Sequence, residues 1–210
     1  NEVFSTSQDV MFSEGTPVAT SFSIKKPELW SVDMPVLYTA EVSLFSGEKE
    51  YDRISIPFGI RTISFSAEKG FLLNGKPMKL KGGCVHHDNG LLGAVTIDRA
   101  EERKVELMKA NGYNAVRCSH NQVSEHSLDA CDKLGMLVIH ETFDQWQAPK
   151  REQDYHQYFD EWSDRDLAAS VRRDRNHPSI IMWSIGNEVA QRADEPEGDL
   201  ISKRLVNTIR

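Results

Sequence analysis

The 210-residue sequence predicts a β-sandwich module over residues 1–62, followed by the first half of a (β/α)8 barrel over residues 63–210. In the first part, short β-branched and aromatic stretches occur without helix signals. In the second part, short apolar strands alternate with amphipathic helices, a pattern typical of parallel strands buried on both faces. Roughly 150 residues follow residue 62, whereas a complete barrel takes about 250. We therefore expect four strand-helix units and a chain that is a fragment of a longer protein.

The β module is predicted mainly from residues 22–66. VLYTAEVSLF alternates loosely between apolar and polar residues, SGEKE supplies a turn, and YDRISIPFGIRTISFS resumes the strand texture. Prolines interrupt this region in the way that edge strands and loops tolerate. They are Pro17, Pro27, Pro35 and Pro57.

The second region begins with the strand MKLKGGCVHH and the helix TIDRAEERKVELMKANG. Asp98 is the expected N-cap of this helix, with Glu101 completing a capping box and Gly112 ending the helix. NAVRCSH is the next strand. SEHSLDACDKLG then predicts a second helix that ends at Gly135, and MLVIHE a third strand.

The last part of the chain predicts two more helices and one more strand. A polar helical region covers about residues 153–175, with an interruption near Ser163. The His177-Pro178 pair ends it, because the residue before a proline disfavours helix, and SIIMWSIGNE is the fourth strand. DLISKRLVNTIR has the spacing of an amphipathic helix cut in its middle.

Composition excludes some classes of partner. The net charge is −7 and the pI about 5.5, which argues against nucleic acid or an anionic membrane surface. No apolar stretch reaches the roughly 18 residues of a membrane span. The three cysteines lack CxxC or zinc-like spacing, so we expect Cys84, Cys118 and Cys131 to be small buried hydrophobic residues.

Each strand of the second region ends in polar residues. Because the carboxyl ends of parallel strands share one rim, where α/β folds gather their function, we expect these side chains to lie together. In strand order they are His86, His87 and Asp88, then Arg117, Ser119, His120 and Asn121, then His140 and Glu141, and finally Asn187 and Glu188.

Glu188 ends an apolar strand, and a buried carboxylate is costly unless it is paired or protonated. A carboxylic acid at the rim of an apolar cleft can protonate a departing oxygen, which glycosidic bond cleavage requires. A retaining enzyme needs a second carboxylate about 5–5.5 Å away. That partner would be Glu141 or a residue of strands outside this chain. Alternatively, Glu188 only caps the following helix or pairs with Arg117.

The histidines give little support for a metal site or a hydrolase triad. His86 and His87 are adjacent on a strand and point to opposite faces, so they are poor joint ligands for a metal. We expect one to contact substrate and the other to pack. His120 has no nucleophile pattern nearby and the sequence has no GxSxG, which argues against a hydrolase triad.

Several segments of the sequence, including those that end in these polar residues, resemble a known family. RNHPSIIMWSIGNEV resembles the acid/base signature of glycoside hydrolase family 2, which contains β-galactosidases, β-glucuronidases and β-mannosidases. FLLNGKPMKLKGGCVHHDNGLLGA, NAVRCSHNQ and CDKLGMLVIHETFDQW resemble its first three barrel strands. KPELWSVDMPVLYTAEV and FGIRTISF resemble the immunoglobulin-like domain before the barrel. The resemblance implies a truncated immunoglobulin-like sandwich and strands 1–4 of a TIM barrel.

The resemblance also implies roles for residues. Glu188 would be the general acid/base, Asn187 would bind the sugar 2-hydroxyl, and Arg117 would keep the nucleophile ionised. The nucleophile itself would be a Glu on the seventh strand, outside this chain, so we expect the chain alone to be inactive. Supporting roles would fall to Glu141 beneath the rim and, around the sugar, to His87, Asp88 and His120.

The resemblance implies no cofactor. Some galactosidases of the family bind magnesium through a Glu and a His after the third strand, but this sequence has Asp144, Gln145, Trp146 and Gln147 there, so we expect no metal.

The function expected is a retaining exo-β-glycosidase acting on carbohydrate, with β-galactosides favoured by the HHDNGLLGA loop. A β-glucuronidase or a β-mannosidase of the same family is the alternative, as is a non-catalytic carbohydrate-binding pseudoenzyme. A cellulase-like barrel would also end its fourth strand in Asn-Glu, but would not explain the preceding sandwich. A homo-oligomer is compatible with the full-length protein, and the compartment stays open between periplasmic or secreted and cytoplasmic.

Overall fold

The computed structural model describes residues 2–11, 17–191 and 195–210. Within them the strands form an antiparallel pair, a three-stranded antiparallel sheet and a four-stranded parallel sheet. None of the helices in these ranges is long and apolar enough to cross a membrane.

The antiparallel pair is a hairpin of β1 (Tyr38–Ser46) and β2 (Lys49–Phe58). Its turn is at Gly47, whose φ of +60° suits a residue without a Cβ. Val42 and Ile54, paired across the strands, are both about half exposed. Within the described residues the hairpin pairs with no further strand, so the strands are confirmed and the complete sandwich stays a prediction.

The three-stranded sheet leads into the parallel region. Its strands are β3 (Ile63–Ser66), β4 (Gly70–Leu73) and β5 (Lys76–Pro77). Phe71 and Leu73 of β4 are buried in a cluster that also contains Trp30 and the first residues of the parallel strands. This sheet therefore closes the amino-terminal end of the parallel sheet.

The parallel sheet confirms the predicted alternation. Its strands β6 (Gly82–Val85), β7 (Ala115–Cys118), β8 (Leu137–Glu141) and β9 (Ile180–Ser184) lie side by side in chain order. The helices between and after them are α1 (Asp98–Ala110), α2 (Glu125–Leu134), α3 (Phe159–Asp174) and α4 (Pro196–Ile209).

The two faces of the parallel sheet differ in burial. Val116, Cys118 and Val138 pack against Leu128 and Cys131 of α2 in a dry layer. Burial raises the pKa of the Cys118 thiol to about 12 and that of Cys131 well above its usual value, so both act as apolar side chains. The expectation for Cys84 is wrong, because its thiol lies exposed on the opposite face of the sheet.

The predicted capping box of α1 is wrong. The N-cap is Ile97, which makes no side-chain capping bond, and the helix begins at Asp98. Glu101 is buried and accepts hydrogen bonds from Ser127 Oγ (2.5 Å) and Asn89 Nδ2 (2.6 Å). A tertiary partner on α2 has replaced the local capping contact.

The predicted boundaries of α2 are confirmed. Ser124 is the N-cap, and its Oγ accepts a bond from the backbone of Ser127 (3.2 Å). Gly135 ends the helix with φ +71°. A Cβ at Gly135 would lie 2.3 Å from the Val32 carbonyl oxygen, so the position also requires glycine for close approach.

The interruption near Ser163 is also wrong. A short 3-10 turn (Tyr155–Gln157) is separated from α3 by Tyr158, and α3 then runs unbroken through Ser163. The Ser163 side chain faces inward and its Oγ accepts a bond from Arg204 of α4 (3.1 Å). Ser163 therefore contacts a neighbouring helix and does not interrupt α3.

Contacts from the amino-terminal segment hold the start of the parallel strands. Trp30 is buried and donates through Nε1 to the Asp132 carbonyl (2.8 Å). Arg61 donates to the carbonyls of Pro178 and Ile180 (both 2.5 Å). The Trp30 bond thus reaches α2, and the Arg61 bonds satisfy carbonyls at the start of β9, at the opposite end of the strand from Glu188.

Candidate functional site

The centre of the site is Glu141, the last residue of β8. It is fully buried, yet its Oε2 accepts bonds from Arg117 Nη2 (2.5 Å), Arg117 Nε (3.1 Å) and Ser184 Oγ (2.6 Å). Its Oε1 lies 2.6 Å from His120 Nδ1. A buried carboxylate is tolerated only when it is paired and hydrogen-bonded in this way. Glu141 is thus committed to holding β7, β8 and β9 together at the rim.

Arg117 carries the network from β7 to the fourth strand. The hydrogen bonds that Arg117 donates to Glu141 raise the pKa of Arg117 further above its usual range, against a smaller opposing effect of desolvation. Its Nη2 also donates to Asn187 Oδ1 (3.0 Å). The alternative in which Arg117 pairs with Glu188 is wrong, because the guanidinium is occupied by Glu141 and Asn187.

Asn187 is held in one orientation. Its side-chain oxygen faces Arg117, its Nδ2 donates to Asp144 Oδ1 (2.9 Å), and its backbone N–H donates to the Phe143 carbonyl (2.9 Å). The residue is only 7% exposed. The amide is therefore fixed by charged groups on both sides, with the nitrogen turned toward the loop after β8.

Glu188 differs sharply from its neighbour. Its side chain is 83% exposed, and among the residues that the structure describes the nearest cation is Lys150, whose Nζ lies 3.9 Å from Oε2. Its φ of +45° lies in the left-handed region, which costs a non-glycine residue roughly 1–2 kcal/mol. The alternative role as a helix cap is wrong, because α4 has Glu195 at its N-cap. Within ranges 2–11, 17–191 and 195–210 no hydrogen bond reaches this carboxyl group, so it can meet a ligand.

Gly186 explains why the apolar strand ends in Gly-Asn-Glu. Trp146 donates through Nε1 to the Ile185 carbonyl (2.8 Å), and its indole lies against the backbone of Gly186. A Cβ there would lie 2.8 Å from Trp146 Nε1 and 2.9 Å from Val189 Cγ1. Only glycine lets the chain turn under the indole and present Asn187 and Glu188.

Two residues that sequence reasoning did not assign to the site complete it. Asp144 Oδ1 accepts from Asn187 Nδ2 and from Lys150 Nζ (2.8 Å). Burial alone would raise the pKa of Asp144, but the hydrogen bonds from Lys150 and Asn187 outweigh it and lower the pKa. Asp144 was detectable as a charge three positions after the end of β8, whereas Lys150 lies in a loop without any pattern.

The three polar residues that follow β6 lie in different environments. The rings of His86 and His120 meet edge to face with centroids 5.2 Å apart, so His86 joins the Glu141 cluster. His87 points to the helix side, where its Nε2 lies 2.9 Å from the Gln122 carbonyl. Asp88 accepts from the backbone of Gly90 (2.8 Å) in its own loop. The structure thus brings His120 to the cluster but holds His87 and Asp88 in other contacts.

His140 does not face the rim either. It is fully buried on the helix side of the sheet, with its ring 4.9 Å from that of Trp183 and Nε2 3.0 Å from Asp174 Oδ2. Alternation along β8 puts His140 and Glu141 on opposite faces.

Within the described ranges, one group of side chains, Asp129, Asp132 and His177, has ligand atoms all within 4.8 Å. It lies away from the rim, and Asp132 is already occupied by His177 Nδ1 (2.6 Å) and the Ser179 backbone (3.0 Å). These bonds are those of a structural link between α2 and β9.

Comparison with known proteins gives a consistent result. Residues 66–203 match the model of the glycosyl hydrolases family 2, TIM barrel domain, and residues 1–61 match a second model, glycosyl hydrolases family 2. A solved family 2 member from Bacteroides cellulosilyticus is 55% identical, with a TM-score of 0.85 over 89% of this chain and 24% of that protein.

Two curated relatives have names that state an activity. A β-galactosidase of Bacteroides ovatus is 46% identical over 89% of this chain and 22% of its own length. A β-glucuronidase of Bacteroides fragilis is 30% identical over 90% of this chain and 28% of its own length. The chain thus spans less than a third of the length of these relatives. The family models cover nearly all of it, and the chain belongs to family 2 of the glycosyl hydrolases.

Proposed function

We propose that a longer protein containing this chain is a retaining exo-β-glycosidase with Glu188 as its general acid/base. The observation that carries the proposal is the contrast at the end of β9, where an exposed carboxyl group follows an amide fixed on both sides. An acid must reach the glycosidic oxygen, whereas a group that recognises the sugar must hold still. The relatives named above act on β-glycosides, which supports the same reaction class.

In this mechanism Glu188 protonates the departing oxygen and then activates water for the second step. Asn187 binds the sugar 2-hydroxyl, a contact that strengthens in the oxocarbenium-like transition state. Arg117 and His120 lie against Glu141 and form the floor of the sugar pocket. The nucleophile is proposed to be a carboxylate outside these 210 residues, since Glu141 is fully used by its four bonds.

The proposal extends to the architecture of the longer protein. Residues 1–62 would be part of an immunoglobulin-like sandwich, whose missing strands would cover the exposed apolar residues of the β1–β2 hairpin. Residues 63–210 would supply strands 1–4 of the TIM barrel. His87 and Asp88 would line the pocket only if the loop after β6 rearranged on completion of the barrel.

We propose β-galactosides as the substrates, because the β-galactosidase is the more similar of the two curated relatives described. A β-glucuronidase is the second candidate, supported by the relative from Bacteroides fragilis. β-Mannosides follow as the third sugar of the family. A binding protein without catalysis is the remaining alternative, and the free carboxyl of Glu188 argues against it.

The test is hydrolysis of aryl β-galactoside, β-glucuronide and β-mannoside by the longer protein, with Glu188→Gln beside it. The amide keeps the shape and removes the proton donor, so we expect activity to fall about 10²- to 10⁴-fold for poor leaving groups and less for activated ones. Glu48→Gln, in the exposed hairpin turn, is the matched control and should change nothing. Equal rates for wild type and Glu188→Gln would refute the catalytic assignment.

A further inference from the structure

The ammonium of Lys150 lies between the groups that flank Glu188. Nζ donates to Asp144 Oδ1 (2.8 Å) and to the backbone carbonyl of Asn187 (3.0 Å). It also lies 3.9 Å from Glu188 Oε2. The Lys150 ammonium therefore contacts the Asp144 carboxylate, the peptide group between Asn187 and Glu188, and the Glu188 side chain.

The loop that carries Lys150 is itself organised. Asp154 Oδ2 accepts from the backbone N–H groups of Lys150 (2.8 Å) and Arg151 (2.7 Å), and its Oδ1 accepts from the His156 backbone (3.0 Å). These bonds hold the pKa of Asp154 far below its usual range, although burial opposes them. A fixed backbone reduces the entropy lost when a long side chain is held in one position.

We propose that Lys150 is a positioning residue that orients the Glu188 carboxyl group for proton transfer. Its bond to the Asn187 carbonyl holds the peptide that sets the positive φ of Glu188. The Asp144 carboxylate in turn holds the ammonium in this position. The inference rests on the proposed function, because only an acid/base residue would transmit this effect to the reaction.

The orientation of the acid matters most when the leaving group needs a proton. A poorly positioned Glu188 would slow cleavage of glycosides with poor leaving groups, whereas activated aryl glycosides need little protonation. Loss of the Lys150 bonds should therefore lower kcat/KM more for poor leaving groups than for activated ones.

The experiment compares kcat/KM for two aryl β-glycosides of one sugar that the longer protein hydrolyses, one with a poor and one with an activated leaving group. For Lys150→Met we expect kcat/KM to fall about tenfold for the poor leaving group and less for the activated one, since general acid catalysis as a whole contributes roughly 10²- to 10⁴-fold. Lys150→Arg keeps the cation and should restore most of this loss. Asp144→Asn releases the ammonium and should show the same selective loss. A lysine removed elsewhere, Lys203→Met on α4, controls for net charge and should have no effect.

Equal kcat/KM values for wild type and Lys150→Met overturn the inference, and so does a loss that is the same for both leaving groups, as a merely structural role would produce. If Lys150→Met does not fold, Asp144→Asn decides, because an equal loss for both leaving groups there is equally contrary. Failure of the proposed function is distinguishable, since it would appear as a wild type that hydrolyses none of the three sugars.

Discussion

At the scale of single residues, the geometry of the rim depends on Gly186. The indole of Trp146 occupies the space that any side chain at this position would need, with 2.8 Å between Nε1 and the site of a Cβ. Trp146 is itself buried among Phe159, Ile201 and Leu205, so it has little room to yield. The turn that exposes Glu188 is thus set by packing beneath it.

We expect Gly186→Ala to lower the free energy of unfolding by about 1–3 kcal/mol, because the added methyl overpacks this contact. Activity of the longer protein should fall as well, since Asn187 and Glu188 follow directly. Urea denaturation measures the first effect and aryl glycoside hydrolysis the second. Gly83→Ala is the control, because its Cβ would meet nothing nearer than Tyr113 Cε1 at 3.9 Å. Similar stability in both variants would contradict the packing argument.

At the scale of elements, His177 links the end of α3 to α2 and to the start of β9. Its Nδ1 lies 2.6 Å from Asp132 Oδ2, and Asp132 Oδ1 accepts from the Ser179 backbone (3.0 Å). Burial alone would lower the pKa of His177, but the hydrogen bond and charge of Asp132 outweigh it and raise the pKa. The protonated form is therefore favoured by folding.

The sign of the pH dependence follows from this shift. A folded-state pKa above the unfolded value of about 6.5 means that the stabilisation is complete below that value and is lost as pH rises through the folded pKa. We expect the free energy of unfolding to decrease between pH 6 and 8 in wild type, and this slope to flatten in His177→Gln. Denaturation at several pH values tests it, with His126→Gln as an exposed-histidine control. An unchanged slope in His177→Gln would count against the link.

At the scale of the whole molecule, the amino-terminal segment and the parallel sheet share one core. Trp30 is buried with Phe71 and Leu73 from the three-stranded sheet and with Leu137 and Ile181 from the parallel strands. Lys109 of α1 adds bonds to the carbonyls of Val32 and Gly135 (both 2.8 Å). The end of the sheet opposite the site is thus closed by residues that precede it in the chain.

We expect Trp30→Ala to lower the free energy of unfolding by about 3–5 kcal/mol, since it removes a fully buried indole and its bond to Asp132. Trp162→Ala, at a partly exposed position on α3, should cost much less. Equilibrium denaturation compares the two. Limited proteolysis should also cut Trp30→Ala faster near residue 30. Equal costs would show that the segment is not part of the core.

The sequence by itself determined the features that depend on local chemistry. Periodicity and turn residues predicted the four parallel strands, the limits of α2 at Ser124 and Gly135, and the amphipathic face of α4. Strand ends marked Arg117, His120, Glu141, Asn187 and Glu188 as rim residues, and the first four of these do lie together. Each of these inferences needs only neighbours within a few positions, which the chain displays directly.

Only the tertiary structure decided which side chains meet across the chain. Glu101 bonds to Ser127 and not to its own helix end, and Ser163 faces Arg204 where a break was predicted. Lys150 reaches Asn187 from 37 positions away. The physical reason is that a buried or long polar side chain takes the partner that lies nearest in space, and the packing of helices and sheet sets that partner.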